Sequence, residues 1–278
     1  MSLTSYLVSG ANRGIGLGLV TALATRPNTV VFAGARNPAA ATQLNDLAAK
    51  HSDKVHVLKL VSGDKPGNLA AVEQIKKISG HLDVVIANAG IGDYFASTLE
   101  MKPEEMTRHF DVNVNGTLVL FQTTYPLLKE SAAPKFVPIG SLVGSVSIGS
   151  QFPARMLAYG ASKAAVHYLV RKIYQEHPEL TTFAVNPGDG VATDMATRTF
   201  EAEPGMKGMT PIPVEDSVNG MLNIIDGATR GIPRRRVRQL RWHQVHLVNA
   251  ARFTMVSPAG GSCSGPHHPF CISIRLGA

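Results

Sequence analysis

The chain has 278 residues, of which 44% are hydrophobic and 17% charged; this balance excludes a disordered or coiled-coil protein and supplies apolar material for one sizeable core. No apolar run approaches the ~18 residues a membrane-spanning helix needs, and the opening MSLTSYLVSG lacks the basic and small-residue features of a secretory leader, so the expectation is a cytoplasmic protein with no membrane partner. The net charge of +7 belongs to the far end: residues 231–278 hold seven Arg and no Lys, Asp or Glu, and removing those seven from the 27 basic residues leaves 20 against 20 acids.

Up to residue 230, strand and helix patterns alternate at short intervals. The strand candidates in chain order are Ser5–Ser9, Thr29–Ala33, Val55–Leu60, Asp83–Ala87, Lys135–Ile139 and Thr181–Val185. Between and after them lie helical stretches at Gly14–Ala24, Pro38–Lys50, Leu69–Ile78, Pro103–Glu130 with an interruption, Pro153–Glu176 and Val214–Ala228. Runs such as Val84-Val85-Ile86 are apolar throughout, as strands buried on both faces must be. The fold class predicted is therefore α/β, a doubly wound parallel sheet of Rossmann type.

The first strand runs into Ser9-Gly10-Ala11-Asn12-Arg13-Gly14-Ile15-Gly16, and a helix follows. Glycines at this spacing let the chain turn tightly and bring backbone N–H groups against a pyrophosphate at a helix N-terminus. A glycine turn alone is weak; its placement between a first strand and a first helix strengthens it. After the second strand, where NAD-binding folds place an acid on the ribose 2′-hydroxyl, the sequence reads Phe32-Ala33-Gly34-Ala35-Arg36-Asn37. An acid would repel a 2′-phosphate, whereas Arg36 pairs with one in forked geometry, and Arg13 is placed to reach the same group. The cofactor expected is NADP.

Tyr159 and Lys163 stand at i and i+4, on one helix face. A phenol is a poor acid near neutral pH, and a nearby cation favours its ionised form. Ser141, after the fifth strand, is placed to hydrogen-bond a carbonyl. Together these residues resemble the short-chain dehydrogenase/reductase family. Gly10, Gly14 and Gly16 match its glycine motif; Asn88-Ala89-Gly90 matches the segment after the fourth strand; Asn113, Ser141, Tyr159 and Lys163 match its catalytic four. Asn186-Pro187-Gly188, with Val191 and Thr193, matches the nicotinamide-side motif. The resemblance spans about residues 3–230 and implies a sheet ordered 3-2-1-4-5-6-7 and hydride transfer between NADP and a carbonyl or alcohol. It also implies that Tyr159 is the acid, that Lys163 holds the ribose and lowers the Tyr159 pKa, and that Asn113 fixes a water.

Within the family, Tyr6–Ala11, Leu82–Ala89, Lys135–Gly140, Ala158–Gly160 and Tyr168–Lys172 resemble fungal norsolorinic acid ketoreductase-like members. Those reduce polyketide-derived aromatic ketones in aflatoxin-type secondary metabolism, which implies a small-molecule ketone as substrate; a general small-carbonyl reductase is the alternative. Met195, Phe200, Met206 and Met209 lie in the stretch where this fold carries its substrate loop, and methionine adapts to flat apolar surfaces. Four positions depart from the family pattern. Ser9 stands for Thr and keeps the hydroxyl; Val61 replaces the acid that contacts adenine; Ala87 replaces an Asn; Asp189-Gly190 adds one residue after Pro187-Gly188.

The largest departure is the end of the chain. After Arg230 the periodicity stops, and residues 231–278 form an atypical basic segment where the family has a final strand. An altered reading frame accounts for so abrupt a break better than a lineage-specific extension does. The expectation is a catalytic domain of residues 1–230, a tail of residues 231–278 that lacks the final strand and stays solvated, and doubtful homo-oligomerisation. Six Arg between Arg230 and Arg241 suggest a nucleic-acid surface, but without aromatic interleaving none is expected. Cys263, His267, His268 and Cys271 have a zinc-like spacing amid Gly and Pro, and no metal site is assigned. A binding protein that has lost catalysis is the other class considered; it conflicts with the presence of Ser141, Tyr159 and Lys163. His51, His81 and His109 are read as surface or packing residues.

Overall fold

A computed structural model describes residues 3–206 and 209–230. Its strands are β1 (Thr4–Ser9), β2 (Thr29–Ala35), β3 (Val55–Lys59), β4 (Val84–Ala87), β5 (Lys135–Pro138) and β6 (Thr181–Thr182). Its helices are α1 (Gly14–Ala24), α2 (Thr42–Lys50), α3 (Lys65–Ser79), α4 (Pro103–Phe110), α5 (Gly116–Leu128), α6 (Leu157–Glu176), α7 (Asp194–Ala202) and α8 (Val214–Gly227). All strand pairs are parallel, in the order β3-β2-β1-β4-β5-β6. Among the described residues there is no seventh strand; the expectations about residues 231–278 lie outside the described residues.

The sheet is covered on both faces because alternate residues of each strand feed different clusters. Tyr6, Val8, Val84, Ile86 and Val137 pack with Leu19 and Leu23 of α1 and Met221 and Ile225 of α8. Leu7, Phe32, Val85 and Phe136 pack with Ile75 of α3, Leu120 and Leu128 of α5 and Ile173 of α6. Each such side chain taken fully out of water contributes about 1.5–3 kcal/mol. Successive strands run outward to either side of β1 and β4, so the strand order reverses between these two. Crevices at such reversal points, beyond the carboxyl ends of the strands, are where doubly wound sheets bind ligands.

Many predicted boundaries shift by one to four residues, and three differences are informative. The strand expected over Thr181–Val185 closes after Thr182, because Pro138 on the neighbouring strand has no N–H with which to continue the ladder. The Thr182 hydroxyl instead donates to Phe136 O at 2.7 Å, and pairing resumes as a single bridge between Ile139 and Val185. The helix expected from Pro153 begins at Leu157, the preceding residues being tied elsewhere. The long stretch after Pro103 is interrupted by one π-helical turn, Asp111–Asn115, and such turns often occur at functional sites. Among the described residues, no helix is long and apolar enough to cross a membrane.

Candidate active site

Of the residues expected to be catalytic or to bind cofactor, all but Ser9 and Asn113 line one cleft of about 1780 Å³. Its floor is the seam between β1 and β4. There the Ser9 hydroxyl accepts hydrogen bonds from the N–H groups of Asn88 and Ala89, both at 3.0 Å. The Asn88 side chain in turn donates to Ser9 O at 2.9 Å and Gly10 O at 3.1 Å. These four bonds hold the glycine turn against the end of β4. The turn is too tight for side chains: a Cβ on Gly16 would lie 2.2 Å from Gly10 O, and Gly10 adopts φ +65° with Ala89 Cα 2.8 Å from its missing Cβ. A cradle this close, opening α1 at its far side, fits a dinucleotide pyrophosphate.

The two arginines expected at the ribose differ. Arg36 is exposed at the end of β2, lines the cleft and has no ion-pair partner among the described residues. Arg13, the N-cap of α1, is instead paired with Asp194, Nη1 to Oδ2 at 2.6 Å. Val61 lines the cleft beside Leu60 and Ser62, so an apolar side chain sits where the family pattern has an acid.

At the other end, Asn113 lies in the π turn and is buried. Its amide makes a two-way clamp on the strand end, with Oδ1 accepting from Ile91 N at 2.8 Å and Nδ2 donating to Ile91 O at 2.9 Å. Nδ2 also donates to Ser162 Oγ at 2.9 Å on α6, one residue from Lys163. The Asn113 side chain thus joins β4, α4–α5 and α6 around the cleft. Lys163 is buried, and its Nζ donates to Ile139 O at 2.9 Å while standing 5.6 Å from the Tyr159 ring centroid. Burial pushes the Lys163 ammonium down to about 8. Burial raises the Tyr159 phenol above its ordinary value, and a hydrogen bond with Ser141 pulls it back. Ser141 Oγ also accepts from Val143 N at 3.3 Å, which sets the start of the loop over α6.

The sequence reading missed His167. It follows Lys163 by one helical turn, and its Nε2 accepts the Ser141 N–H at 3.4 Å. Burial, then the charge of Lys163, push this imidazole down to about 4, so it is neutral and keeps its acceptor lone pair. The i, i+4 spacing from Lys163 was the available signal.

The segment after β6 forms the remaining wall. Pro187 O accepts from Ser217 Oγ of α8 at 2.5 Å, and the extra Asp189-Gly190 is absorbed by positive φ at Gly188 (102°) and Gly190 (74°). Val191 is buried and bridges Ile212. Thr193 caps α7, its hydroxyl accepting from Ala196 N at 3.4 Å. α7 itself was not foreseen. Met195, Phe200 and Met206 line the cleft with Phe152 and Met156, whereas Met209 does not. The far end of this strap is fastened by Glu203, which is buried and accepts from Arg155 N at 3.0 Å and Arg155 Nε at 3.1 Å.

Of the three histidines read as surface or packing groups, His109 is fully buried and His51 and His81 are half-buried. Among the described residues, no cluster of three or more His, Cys, Asp or Glu is placed to hold a metal.

Comparison with known proteins agrees with this geometry. The short chain dehydrogenase family matches residues 5–204. Norsolorinic acid ketoreductase of Aspergillus parasiticus is 37% identical over 232 residues, covering 82% of this chain and 84% of that one. The Dothistroma septosporum norsolorinic acid ketoreductase is also 37% identical, covering 82% and 86%. Among solved structures, NADPH-bound carbonyl reductase from chicken fatty liver superposes with a TM-score of 0.72 at 30% identity, covering 82% of this chain and 93% of that one. The chain belongs to the short chain dehydrogenase family, and is an oxidoreductase of the kind that binds a nicotinamide cofactor.

Proposed function

We propose that this protein is an NADPH-dependent ketoreductase that reduces a polyketide-derived aromatic ketone in fungal-type secondary metabolism. Residues 1–230 form its catalytic domain, and it acts in the cytoplasm. The observation that carries the reading is the make-up of the cleft: Arg36 with no carboxylate partner among the described residues at one end, and Tyr159, Phe152, Met156, Met195, Phe200 and Met206 at the other. The flat, adaptable apolar wall suits a fused aromatic ring system. The names of the two norsolorinic acid ketoreductases and of the NADPH-bound carbonyl reductase support the same reading.

In this reading the glycine turn, Asn12, Ile15, Asn88–Gly90 and Pro187–Thr193 hold the dinucleotide, with Arg36 on its 2′-phosphate. A bound nicotinamide cofactor supplies the hydride. Ser141 donates a hydrogen bond to the ketone oxygen and Tyr159 gives that oxygen its proton. Lys163, desolvated and held on Ile139 O, keeps a positive charge beside the phenol and lowers the cost of the phenolate that remains. Asn113 clamps the segment after β4 through Ile91, which lines the cleft, and fixes the water through which Lys163 exchanges protons.

Two measurements test this. Tyr159→Phe keeps the ring and removes only the acid, so turnover should be abolished while cofactor titration is unchanged; retained turnover refutes the role. The ratio of kcat/KM for a polycyclic aryl ketone over a small aliphatic ketone should favour the former with NADPH, and the reverse preference points to a general small-carbonyl reductase.

A further inference from the structure

The ion pair between Arg13 and Asp194 joins two parts of the cleft that are 181 residues apart in the chain. Arg13 ends the glycine turn, and Asp194 opens α7, the helix that walls the substrate end. The side chains are 61% and 64% exposed, so each is free to turn toward another partner. The neighbouring backbone is fixed: Thr193 caps α7, and its Cγ2 lies 3.1 Å from where a Cβ on Gly14 would stand. The two guanidinium groups on the cofactor side of the cleft are therefore unlike. Arg36 has no internal anion among the described residues, and Arg13 already holds one.

We propose that Asp194 is a specificity-determining residue, an internal rival of the cofactor's 2′-phosphate for Arg13. The inference rests on the NADP reading above. A carboxylate brings one negative charge; a phosphate monoester brings nearly two, with three strong acceptor oxygens in forked geometry. An exposed ion pair is a weak one, so a phosphate in reach draws Arg13 away. Asp194 is not stranded when that happens, because it is exposed and sits in the first turn of α7, where the helix dipole favours an acid. A 2′-hydroxyl carries no charge and leaves Arg13 on Asp194. The carboxylate thus subtracts from affinity for phosphate-bearing cofactor only, and it ties that loss to the position of the substrate-side helix.

The test is calorimetric titration of the full chain with NADP+, NAD+, 2′,5′-ADP and 5′-AMP. Asp194→Asn should tighten NADP+ and 2′,5′-ADP about two- to fivefold and leave NAD+ and 5′-AMP within about that lower bound. Asp194→Ser, a second charge-removing variant that leaves the Thr193 cap in place, should do the same. In the Arg13→Gln background the gain should vanish. Equal tightening of all four ligands, weaker binding of 2′,5′-ADP, or a gain that survives loss of Arg13 overturns the proposal. The NADP reading stands or falls separately, on the NADP+ to NAD+ ratio of the unmodified protein.

Discussion

The glycine turn and the strap that faces it across the cleft are held by different kinds of contact. At the turn, close backbone approach leaves no room for a Cβ on Gly10 or Gly16, and two short side chains, the Ser9 hydroxyl and the Asn88 amide, bond the turn to the end of β4 all along the contact. The strap, α7 with the residues up to Met206, is fastened instead by side chains at its two ends, Asp194 on Arg13 and Glu203 on Arg155. A dinucleotide has the same shape in every turnover, and a surface that matches it is best fixed by packing. A wall that admits a bulky ketone must be built from parts that give way separately. The difference predicts that substitutions of the turn's glycines act by steric conflict and those at the strap's ends by loss of polar contacts.

Gly16→Ala should be the most damaging change. Its methyl group would meet Gly10 O at 2.2 Å and Asn88 Nδ2 at 2.6 Å, and neither the turn nor the β4 end can move without breaking the four bonds at Ser9 and Asn88. A loss of about 3 kcal/mol or more in urea unfolding is expected, together with loss of cofactor binding. A variant that binds cofactor normally would mean that the turn is as yielding as the strap.

Next is an acid effect centred on His167, which lies against Gly140 and Ser141. Burial, then Lys163, hold its pKa near 4 in the folded chain against an ordinary 6.5. The unfolded chain therefore takes up the proton first. The neutral imidazole's contribution is complete above about pH 6.5, falls as pH drops toward 4, and changes no further below that, with a ceiling of about 3 kcal/mol. His167→Gln keeps an acceptor for the Ser141 N–H and removes the titration. The difference between the unfolding midpoints at pH 7.5 and 4.5 should be smaller in this variant than in the unmodified protein; equal differences would remove His167 from the account.

At the strap, Glu203→Ala should cost about 2 kcal/mol, since the lost bonds go to a buried carboxylate and leave the Arg155 N–H without its partner. Because the strap closes on the apolar end, KM for a large aryl ketone should rise several-fold while cofactor affinity stays constant. Cofactor affinity that falls in step with KM would show that the two regions are one unit.

The same contrast explains what the sequence could disclose. Chemistry written in local spacing was legible: the glycines of the turn, Tyr159 and Lys163 one helical turn apart, and the β–α alternation, with α1 foreseen to the residue. The π turn that carries Asn113 was visible only as an interruption, because a single extra residue per turn leaves little trace in the hydrophobic pattern. β6 was read too long because Pro138 acts on it from the neighbouring strand. Arg155 and Glu203 are 48 residues apart, and Arg13 and Asp194 far more, so no periodicity relates them; only the folded chain brings them together. That is why Arg13 was assigned to the phosphate without its carboxylate partner. His167 is different, since its spacing from Lys163 put it on the same helix face.

The smallest effect calibrates the largest. Gly227, the last residue of α8, has nothing within 4 Å of the position a Cβ would take, and its φ is not among the positive values. A methyl group there removes backbone freedom from the unfolded chain and meets no atom in the folded one. Gly227→Ala should therefore stabilise the protein by roughly 0.5 kcal/mol, at the low end for a glycine in a helix because the site is terminal. A thermal melt beside that of Gly16→Ala reads the same chemical change at a packed position and an open one. The two should differ in sign. If Gly227→Ala also destabilises, an alanine methyl is costly in this fold even where space is open, and the Gly16 result could no longer be assigned to the tightness of the turn.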